Sequence, residues 1–316
     1  MKSNDICKLL NIKYPIFQGA MAWVSDSNLA AAVSNAGGLG IIAGGNSPAE
    51  IVREEIRKAK LLTNKPFAVN IMLLSDNASE LSDIVIEEGV EVITTGAGNP
   101  GKYIDKWKKA GIKVIPVVAS VALAKKMEKS GADAVIAEGC EAGGHIGKLT
   151  TMVLIPQVVD AVDIPVIAAG GIADGRGIAA SFIFGAKGVQ IGTRFLVADE
   201  CTIHDNYKEA VIKSKDIDTV VTGRITGHPV QVIKNKLARD YLKLEGENAP
   251  LEVLEELGRG ALKRATKDGD TETGSLMAGQ ISGMVRKRQS AKEIIEEIFK
   301  EYEDIIKNLS SKELNL

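Results

Sequence analysis

The sequence is poor in several features that define whole classes of protein. Its three cysteines, Cys7, Cys140 and Cys201, lie far apart and form no CxxC pair, which argues against disulfides and zinc and for a reducing cytoplasm. No stretch approaches the roughly 18 apolar residues of a membrane span, and the N-terminus lacks the apolar core of a signal peptide. The net charge of −2 gives no reason to expect nucleic acid or an anionic membrane. These absences predict a cytoplasmic globular protein.

Glycine, in contrast, is plentiful, with 32 in 316 residues, and several glycines cluster directly after apolar runs. Because glycine has no side chain, such clusters let a ligand come close to the backbone. Hydrophobic residues make up 45% and charged residues 25% of the chain, the balance of a globular protein with a sizeable core. The length suits one large α/β barrel or two ordinary domains. Composition therefore favours an enzyme over a structural or adaptor protein.

Short apolar runs rich in Val and Ile recur along the first two thirds of the chain, and none alternates cleanly. This pattern is typical of strands buried on both faces of a parallel sheet. We assign eight strands, at residues 14–19, 39–44, 66–73, 90–96, 113–118, 134–139, 165–171 and 188–193. Amphipathic segments with cap residues lie between them and predict helices, for example at 26–37, 47–62, 77–89, 120–131 and 173–185. Eight βα units favour a closed (βα)8 TIM barrel; an open doubly wound sheet is the alternative.

The pattern changes after the eighth strand. Residues 199–285 show helical stretches and loops without strong strand signals, and residues 290–309 form an amphipathic helix. We predict a barrel domain from residues 1–198 and 286–316, which includes this closing helix. The intervening residues 199–285 are predicted to form a smaller, mostly helical insertion that covers the mouth of the barrel on the substrate side.

Glycine-rich and polar residues gather where the predicted strands end, which is the active-site end of a barrel. The segments AAGGIADGRG and QIGTRF follow the seventh and eighth strands, the pair of loops that commonly binds phosphate in barrel enzymes. The backbone N–H groups of Gly170, Gly171, Gly192 and Thr193 and a neighbouring helix N-terminus would serve as donors to the phosphate.

The segment GAGNPG at 96–101 matches a dinucleotide-binding fingerprint, but it follows the fourth strand and contains Pro100. A loop that lines the barrel mouth therefore fits this segment better.

Two polar side chains stand out within this setting. Asn70 lies in the apolar strand FAVNIML, where its amide could make a structural hydrogen bond or read the edge of a ligand ring. His145 lies among glycines in EGCEAGGHIGKLTT, and imidazole is the side chain best suited to proton transfer near neutral pH. His204 and His228 have weaker cases, although the loop RITGHPV could fold back over the site.

Six segments together resemble a known family. They are QGAMAWVSDSNLAAAVSNAGGLGIIAGG, FAVNIML, EGCEAGGHIGKLTT, VIAAGGIADGRGIAAS, GVQIGTRF and SLMAGQISG, in this order. They resemble the nitronate monooxygenase-like FMN flavoproteins, and within these the flavin-dependent (type II) enoyl-[acyl-carrier-protein] reductases. GAMAWVSD and HIGKLTT favour the reductases, although the division from the nitronate oxidases is less sharply marked.

The resemblance implies an FMN-binding barrel that uses NADH or NADPH to reduce a trans-2-enoyl thioester on acyl carrier protein. A homodimer is expected, and a requirement for a monovalent cation is left open. By resemblance, Ala20, Met21 and Ala22 would line the isoalloxazine and Asn70 would hydrogen-bond to it. Glu138 and Gly143 would contact the flavin, and its phosphate would be held by Gly170, Gly171, Gln190, Gly192 and Thr193. Gly279 and Gln280 would close over the flavin, and Asn46 and Gly144 complete the predicted cofactor-binding set. His145 falls on the active-site histidine of the family.

Two other activities compete with this interpretation. A nitronate monooxygenase would share the barrel and FMN but would oxidise alkyl nitronates with oxygen, and reduction of the flavin by a nicotinamide distinguishes the two. A phosphate-binding isomerase or aldolase without flavin would need a lysine or paired carboxylates at the strand ends. Lys113 opens the fifth predicted strand, which puts it at the wrong end of the barrel.

Overall fold

The computed structural model describes residues 5–45 and 47–311. Eight parallel strands form a ring, and a short ninth strand, β7 (Gly144–His145), follows the sixth strand of that ring. The ring strands are β1 (Ile16–Gln18), β2 (Gly40–Ala43), β3 (Phe67–Met72), β4 (Val92–Gly96), β5 (Lys113–Val118), β6 (Val135–Glu138), β8 (Val166–Ala169) and β9 (Gly188–Ile191). All eight predicted strands are confirmed; β5 matches the assigned segment and the other seven are slightly shorter than theirs.

The strands run β1-β9-β8-β6-β5-β4-β3-β2 around the sheet, and a bridge between Phe17 and Leu39 joins its two ends. The backbone N–H of Gln18 donates to the carbonyl oxygen of Leu39 at 3.0 Å, and that of Leu39 donates to Ile16 at 2.9 Å. The sheet therefore closes on itself. A (βα)8 barrel is confirmed, and the doubly wound alternative is wrong because an open sheet would leave these edges unpaired.

Helices cover the outside of the ring. They are α1 (Asp5–Leu10), α2 (Ser27–Asn35), α3 (Ala49–Leu62), α4 (Ala78–Glu87), α5 (Gly101–Lys109), α6 (Val121–Lys129), α7 (Thr151–Val159) and α8 (Gly175–Ile183). Helix α2 begins as its cap residue predicts, since the Asp26 carboxylate accepts from the N–H groups of Asn28 and Leu29 at 3.1 Å. Helix α1 differs in packing Ile6 and Leu10 against the residues inside the barrel, so it closes the end opposite the strand C-termini.

The rest of the chain adds a cap and a closing helix. These elements are α9 (Thr193–Leu196), α10 (Asp205–Lys213), β10 (Thr219–Thr222), β11 (Val230–Ile233), α11 (Lys236–Gly246), α12 (Leu251–Gly258), α13 (Ala261–Lys263), a π-helix (Arg264–Asp268), a 3-10 helix (Gln280–Met284) and α14 (Ala291–Ser311). Helix α14 confirms the predicted closing helix and packs on α8, where the N–H of Gly175 donates to Glu301 Oε2 at 2.8 Å. No helix within the described ranges is long and apolar enough to cross a membrane.

The cap contains a sheet that the sequence analysis missed. Strands β10, β11 and β7 form an antiparallel three-stranded sheet, so residues 199–285 contain two strands although their sequence shows no strong strand signal. The runs TVVT and VQVI, separated by a glycine-containing loop, are a hairpin signal. Strand β7 has only two residues and exists because β11 pairs with it. Helices still predominate in this segment, and its independence as a domain stays a prediction.

One close contact between helix and barrel yields a stability test. A Cβ atom at Gly40 would lie 1.8 Å from the carbonyl oxygen of Ala30 in α2, and backbone cannot give way as a side chain could. We expect Gly40→Ala to lower the free energy of unfolding by about 3 kcal/mol or more, measured by urea denaturation. Gly96→Ala is the control, since nothing lies within 4 Å of its Cβ position. Equal stability of the two variants would contradict this account of the contact.

Candidate active site

The loop after β6 and the segment that returns from the cap meet at the mouth of the barrel. A Cβ atom at Gly143 would lie 2.7 Å from the backbone nitrogen of Gly279, and one at Gly279 would lie 2.6 Å from the carbonyl oxygen of Glu141. The backbone N–H of Gly279 donates to Thr193 Oγ1 at 2.9 Å, and that of Gln280 donates to the Glu141 carbonyl at 2.9 Å. The structure thus brings together Gly143, Thr193, Gly279 and Gln280, four of the residues predicted to bind the cofactor.

The loop after β8 offers free backbone donors beside this contact. Gly170 and Gly171 both adopt left-handed conformations, with φ of +89° and +70°. Their N–H groups donate to no acceptor among the described residues, while the carbonyl oxygen of Gly170 accepts from Thr151 Oγ1 at 2.9 Å. Two unpaired N–H groups on a bare loop suit an anion such as phosphate.

Two helices begin near these donors, and they differ in what their first N–H groups contact. At α8 the Asp174 carboxylate accepts from the N–H groups of Arg176 and Gly177, and Glu301 accepts from Gly175. The start of α8 is therefore occupied by carboxylates and gives no support to the predicted phosphate site. The four-residue helix α9 begins at Thr193 without a side-chain cap. The phosphate interpretation thus depends on the glycine loop and the end of β9.

The turn after β1 is built by Gln18, a polar residue at a strand end to which the sequence analysis assigned no role. Gln18 is fully buried; its Oε1 accepts from the N–H of Ile41 at 3.0 Å and its Nε2 donates to Ser25 Oγ at 2.8 Å. The Ser25 hydroxyl in turn accepts from the N–H of Met21 at 2.9 Å. These bonds position the predicted segment Ala20–Met21–Ala22, and a Cβ atom on Gly192 would lie 3.7 Å from the Met21 sulfur. A polar residue at the end of a barrel strand was the available signal.

Asn70 has both a structural partner and a free acceptor. Its Nδ2 donates to Thr94 Oγ1 at 2.9 Å, which fixes the orientation of the amide on β3. Its Oδ1 accepts no hydrogen bond from any described residue, and the side chain is half-buried. Asn70 lies near the C-terminal end of β3, so its free Oδ1 could accept a hydrogen bond from a ligand ring in the barrel mouth. The predicted Asn46 lies outside the described residues.

Glu138 is the last residue of β6 and projects from the ring at the end where the loops converge. Burial raises the pKa of the Glu138 carboxyl from 4.5 to about 7, and no described residue donates a hydrogen bond to it. Gln190, on the neighbouring part of the ring, is also buried, at 8% exposure. A carboxyl group that is partly protonated at neutral pH can donate as well as accept a hydrogen bond. Such a group can contact a neutral polar ring without the cost of a buried charge.

The three histidines have different surroundings. His145 pairs with Val230 between β7 and β11, and the N–H of Ile146 donates to the carbonyl oxygen of Pro229 at 3.1 Å. This pairing brings His228 near His145, and burial together with the nearby His228 lowers the pKa of His145 below its usual value. His204, in contrast, caps α10 by accepting from the N–H of Asn206 at 3.1 Å. The loop RITGHPV thus lies next to His145, and His228 becomes a further candidate for the site.

The two histidines face a cavity of about 180 Å³ between the cap sheet and the cap helices. Its wall includes Met277, whose carbonyl oxygen accepts from the Tyr207 hydroxyl at 2.7 Å. Met277 also bridges to Val232 on β11. The residues that line it are His145, Thr222, Gly223, His228, Val230, Val232, Asn235, Leu237, Ala238, Tyr241, Gly258, Ala261, Leu262, Ser275, Leu276 and Met277.

The raised pKa of Glu138 predicts how stability depends on pH. Because the folded state holds the Glu138 proton up to a pKa of about 7, against 4.5 for the free group, its ionisation lowers the stability of the flavin-free protein as the pH rises through this window. We expect Glu138→Gln to raise the free energy of unfolding at pH 8 by at most about 3 kcal/mol. Denaturation at pH 4 should show no gain, and Glu80→Gln, an exposed change on α4, should show none at either pH. An equal gain at both pH values would contradict the assigned cause.

The histidine pair makes a second prediction. Two effects lower the pKa of His145, its burial and the nearby His228. His228→Gln removes the second effect and should therefore raise this pKa, while burial keeps it below 6.5. The measurement is an NMR titration of the histidine Cε1 protons in flavin-free protein. His204→Asn, which replaces one helix cap with another, should leave the His145 titration where it is. If His228→Gln also leaves it there, the two rings do not interact.

Comparison with known proteins agrees with this geometry. The sequence profile of the family described as nitronate monooxygenase matches residues 3–301. FabK from Thermotoga maritima superimposes with a TM-score of 0.95 and 49% identity, covering 98% of this chain and 99% of that one. A nitroalkane oxidase from Streptomyces ansochromogenes superimposes with a TM-score of 0.86 and 30% identity, covering 96% and 99%.

Curated relatives carry two kinds of name. A probable nitronate monooxygenase from Staphylococcus saprophyticus is 36% identical, with 96% of this chain and 99% of that protein covered. A (3aS,4S,5R,7aS)-5-hydroxy-7a-methyl-1-oxo-octahydro-1H-indene-4-carboxyl-CoA dehydrogenase from Mycobacterium tuberculosis is 35% identical, with 93% and 94% covered.

Proposed function

This chain belongs to the nitronate monooxygenase family and is an FMN-dependent oxidoreductase, and we propose that it reduces the 2,3 double bond of trans-2-enoyl thioesters. NADH or NADPH would be the reductant and acyl carrier protein the carrier of the thioester, as in bacterial fatty-acid elongation. The observation that carries the proposal is the match over the whole chain to FabK, an FMN-dependent enoyl-[acyl-carrier-protein] reductase, at 49% identity, against 30% for the nitroalkane oxidase. The relative named as a carboxyl-CoA dehydrogenase adds support for a thioester substrate.

The residues at the barrel mouth fit FMN. Gly170 and Gly171 present two unpaired N–H groups for its phosphate. The contact of Gly143 with Gly279 leaves no space for side chains at these two positions, so this part of the mouth offers only backbone to a ligand. Asn70 offers a free amide oxygen and Glu138 a carboxyl group that can be protonated. When bound, FMN supplies the transfer of a hydride equivalent between nicotinamide and substrate.

The protein's own part in the reaction centres on His145. Reduction of an enoyl thioester adds a hydride at the β-carbon, which places negative charge on the thioester oxygen, and a proton must then reach the α-carbon. Because its pKa is lowered by burial and by His228, His145 is neutral at physiological pH. A neutral imidazole can donate its N–H to the thioester oxygen and stabilise the charge that develops there. This favours His145 as a polariser of the carbonyl over a charged proton donor.

Three further parts of the proposal come from the resemblance alone. They are the acyl carrier protein as partner, a homodimer as the assembly and the cytoplasm as the location. The preference between NADH and NADPH and a requirement for a monovalent cation also stay predictions to be measured. None of them alters the chemistry proposed for the barrel mouth.

Nitronate oxidation is the second candidate, favoured by the name of the matching family and by the Staphylococcus relative. It shares the barrel and FMN, so the test must separate the substrates. Purified protein reconstituted with FMN would be treated anaerobically with NADH or NADPH while its visible spectrum is recorded. The reductase predicts bleaching of the flavin band by one of the two and recovery on adding butenoyl-CoA. Bleaching only by an alkyl nitronate, with neither nicotinamide active, would favour the oxidase.

The role of His145 is tested by substitution. We expect His145→Ala to lower kcat for enoyl-CoA reduction by about 100-fold, the usual loss when one donor to a developing oxyanion is removed. Reduction of the flavin by the nicotinamide should stay within a few-fold, because that half-reaction does not use the thioester oxygen. His204→Asn serves as the control, since His204 caps α10 away from the mouth. Unchanged turnover in His145→Ala would exclude this role.

A further inference from the structure

The cavity behind His145 carries an inference that deepens, and rests on, the proposed function. None of the residues that line it is Asp, Glu, Lys or Arg. Aliphatic and aromatic side chains form much of the wall, among them Val232, Leu237, Leu276 and the ring of Tyr241. A pocket of this composition suits an uncharged, apolar group and disfavours the diphosphate of a nicotinamide nucleotide.

The main polar side chain in the wall is already committed to the fold. Asn235 Oδ1 accepts from the N–H of Ala238 at 2.9 Å, and its Nδ2 donates to the carbonyl oxygens of Thr271 and Gly274 at 2.9 and 2.7 Å. The amide therefore closes the start of α11 and is not available to a ligand. With Asn235 excluded, the polar side chains that remain in the wall are the hydroxyls of Thr222, Tyr241 and Ser275 and the imidazoles of His145 and His228.

The size of the cavity sets what can enter. At about 180 Å³ it is slightly larger than an engineered apolar cavity of about 150 Å³ that holds benzene. It can therefore take an apolar group of roughly six carbons. A small nitronate would leave most of it empty, whereas a short acyl chain would fill it.

Two parts of the chain supply the wall of the cavity. His145, next to Gly144, and Met277, two residues before Gly279, belong to segments that meet at the barrel mouth. Ala238, Gly258 and Leu262 belong to the cap helices α11, α12 and α13. A chain attached to a thioester at His145 would extend toward these helices.

We propose that this cavity receives the acyl chain of the thioester substrate, and that Ala238 and Leu262 set the chain length the enzyme accepts. Ala238 is 3% exposed on α11, so a larger side chain there would enter the cavity. Leu262 is half-buried, and its truncation would lengthen the space. Chains longer than the cavity would have to displace cap residues to be bound.

The test is a comparison of chain lengths in variants of opposite effect. For FMN-loaded enzyme, kcat/KM would be measured with butenoyl-, hexenoyl-, octenoyl- and decenoyl-CoA. Each buried methylene is expected to raise kcat/KM roughly fourfold until the cavity is full. Ala238→Leu should lower kcat/KM for octenoyl-CoA at least about tenfold and leave butenoyl-CoA within about twofold. Leu262→Ala should shift the optimum to a longer chain, and Val253→Ala, exposed on α12, should change neither.

A binding measurement separates this proposal from the proposed function. Calorimetry with saturated octanoyl-CoA and butyryl-CoA on flavin-free protein should show tighter binding of the longer chain, and loss of that difference in Ala238→Leu. If the wild type reduces enoyl thioesters but the variants affect all chain lengths equally, the cavity is not the acyl site and the reductase proposal stands. If no thioester is reduced but the binding difference follows Ala238→Leu, the reductase proposal is wrong and the acyl site stands. If no thioester is reduced and the binding difference is also absent, the reductase proposal and the acyl-site proposal are both wrong.

Discussion

The site depends on one close approach between backbones, that of Gly143 in the loop after β6 and Gly279 in the segment returning from the cap. A side chain at either position would meet backbone atoms at 2.6 to 2.7 Å, so both must be glycine for the contact to exist. The bonds from Gly279 to Thr193 and from Gln280 to Glu141 then join the cap to two barrel loops. Together with the pairing of β11 and β7, this contact positions the cap segment over the barrel mouth.

The same contact places the reactive side chain. Strand β7 consists of the two residues directly after Gly143, and it is held by β11 from the cap. His145 therefore belongs by sequence to the barrel and by pairing to the cap. Its position relative to the mouth is determined by both parts together. This arrangement couples the proposed carbonyl donor to the wall of the cavity, since Val230 and Val232 on β11 line it.

The pKa shifts of two groups at the mouth both favour the neutral form of the side chain. Burial raises the pKa of Glu138 and lowers that of His145, so both groups are shifted toward their neutral forms. Two neutral groups can orient a polar ring and a thioester by hydrogen bonds without strong charge. The anionic part of a flavin would instead meet the N–H groups of Gly170 and Gly171. The site thus separates phosphate binding from the region where the reaction takes place.

The barrel and most of its rim could be predicted from the sequence because both depend on local patterns. Strands buried on two faces leave continuous apolar runs, and bare loops leave glycines. Gln18 was missed because its role lies in bonds to Ser25 and Ile41, which only the closed ring brings within reach. Strand β7 was missed for a similar reason: two residues carry no periodicity, and their partner lies more than eighty residues away in the chain.

Features with a local sequence pattern are recognisable from the sequence, whereas features that depend on distant contacts are not. For this reason the family is easier to recognise than the substrate. Most of the motifs that identify the chain lie in the barrel loops, which both the reductase and the oxidase need for FMN, but SLMAGQISG, at residues 275–283, lies in the segment that returns from the cap. The rest of the cavity wall comes mainly from β11, α11 and α13, where an acyl chain would require only apolar side chains of suitable size. Many side chains satisfy that requirement, so this part of the chain has the weaker sequence signature. Under the acyl-chain proposal, the shape of the cap selects the substrate more than any motif does.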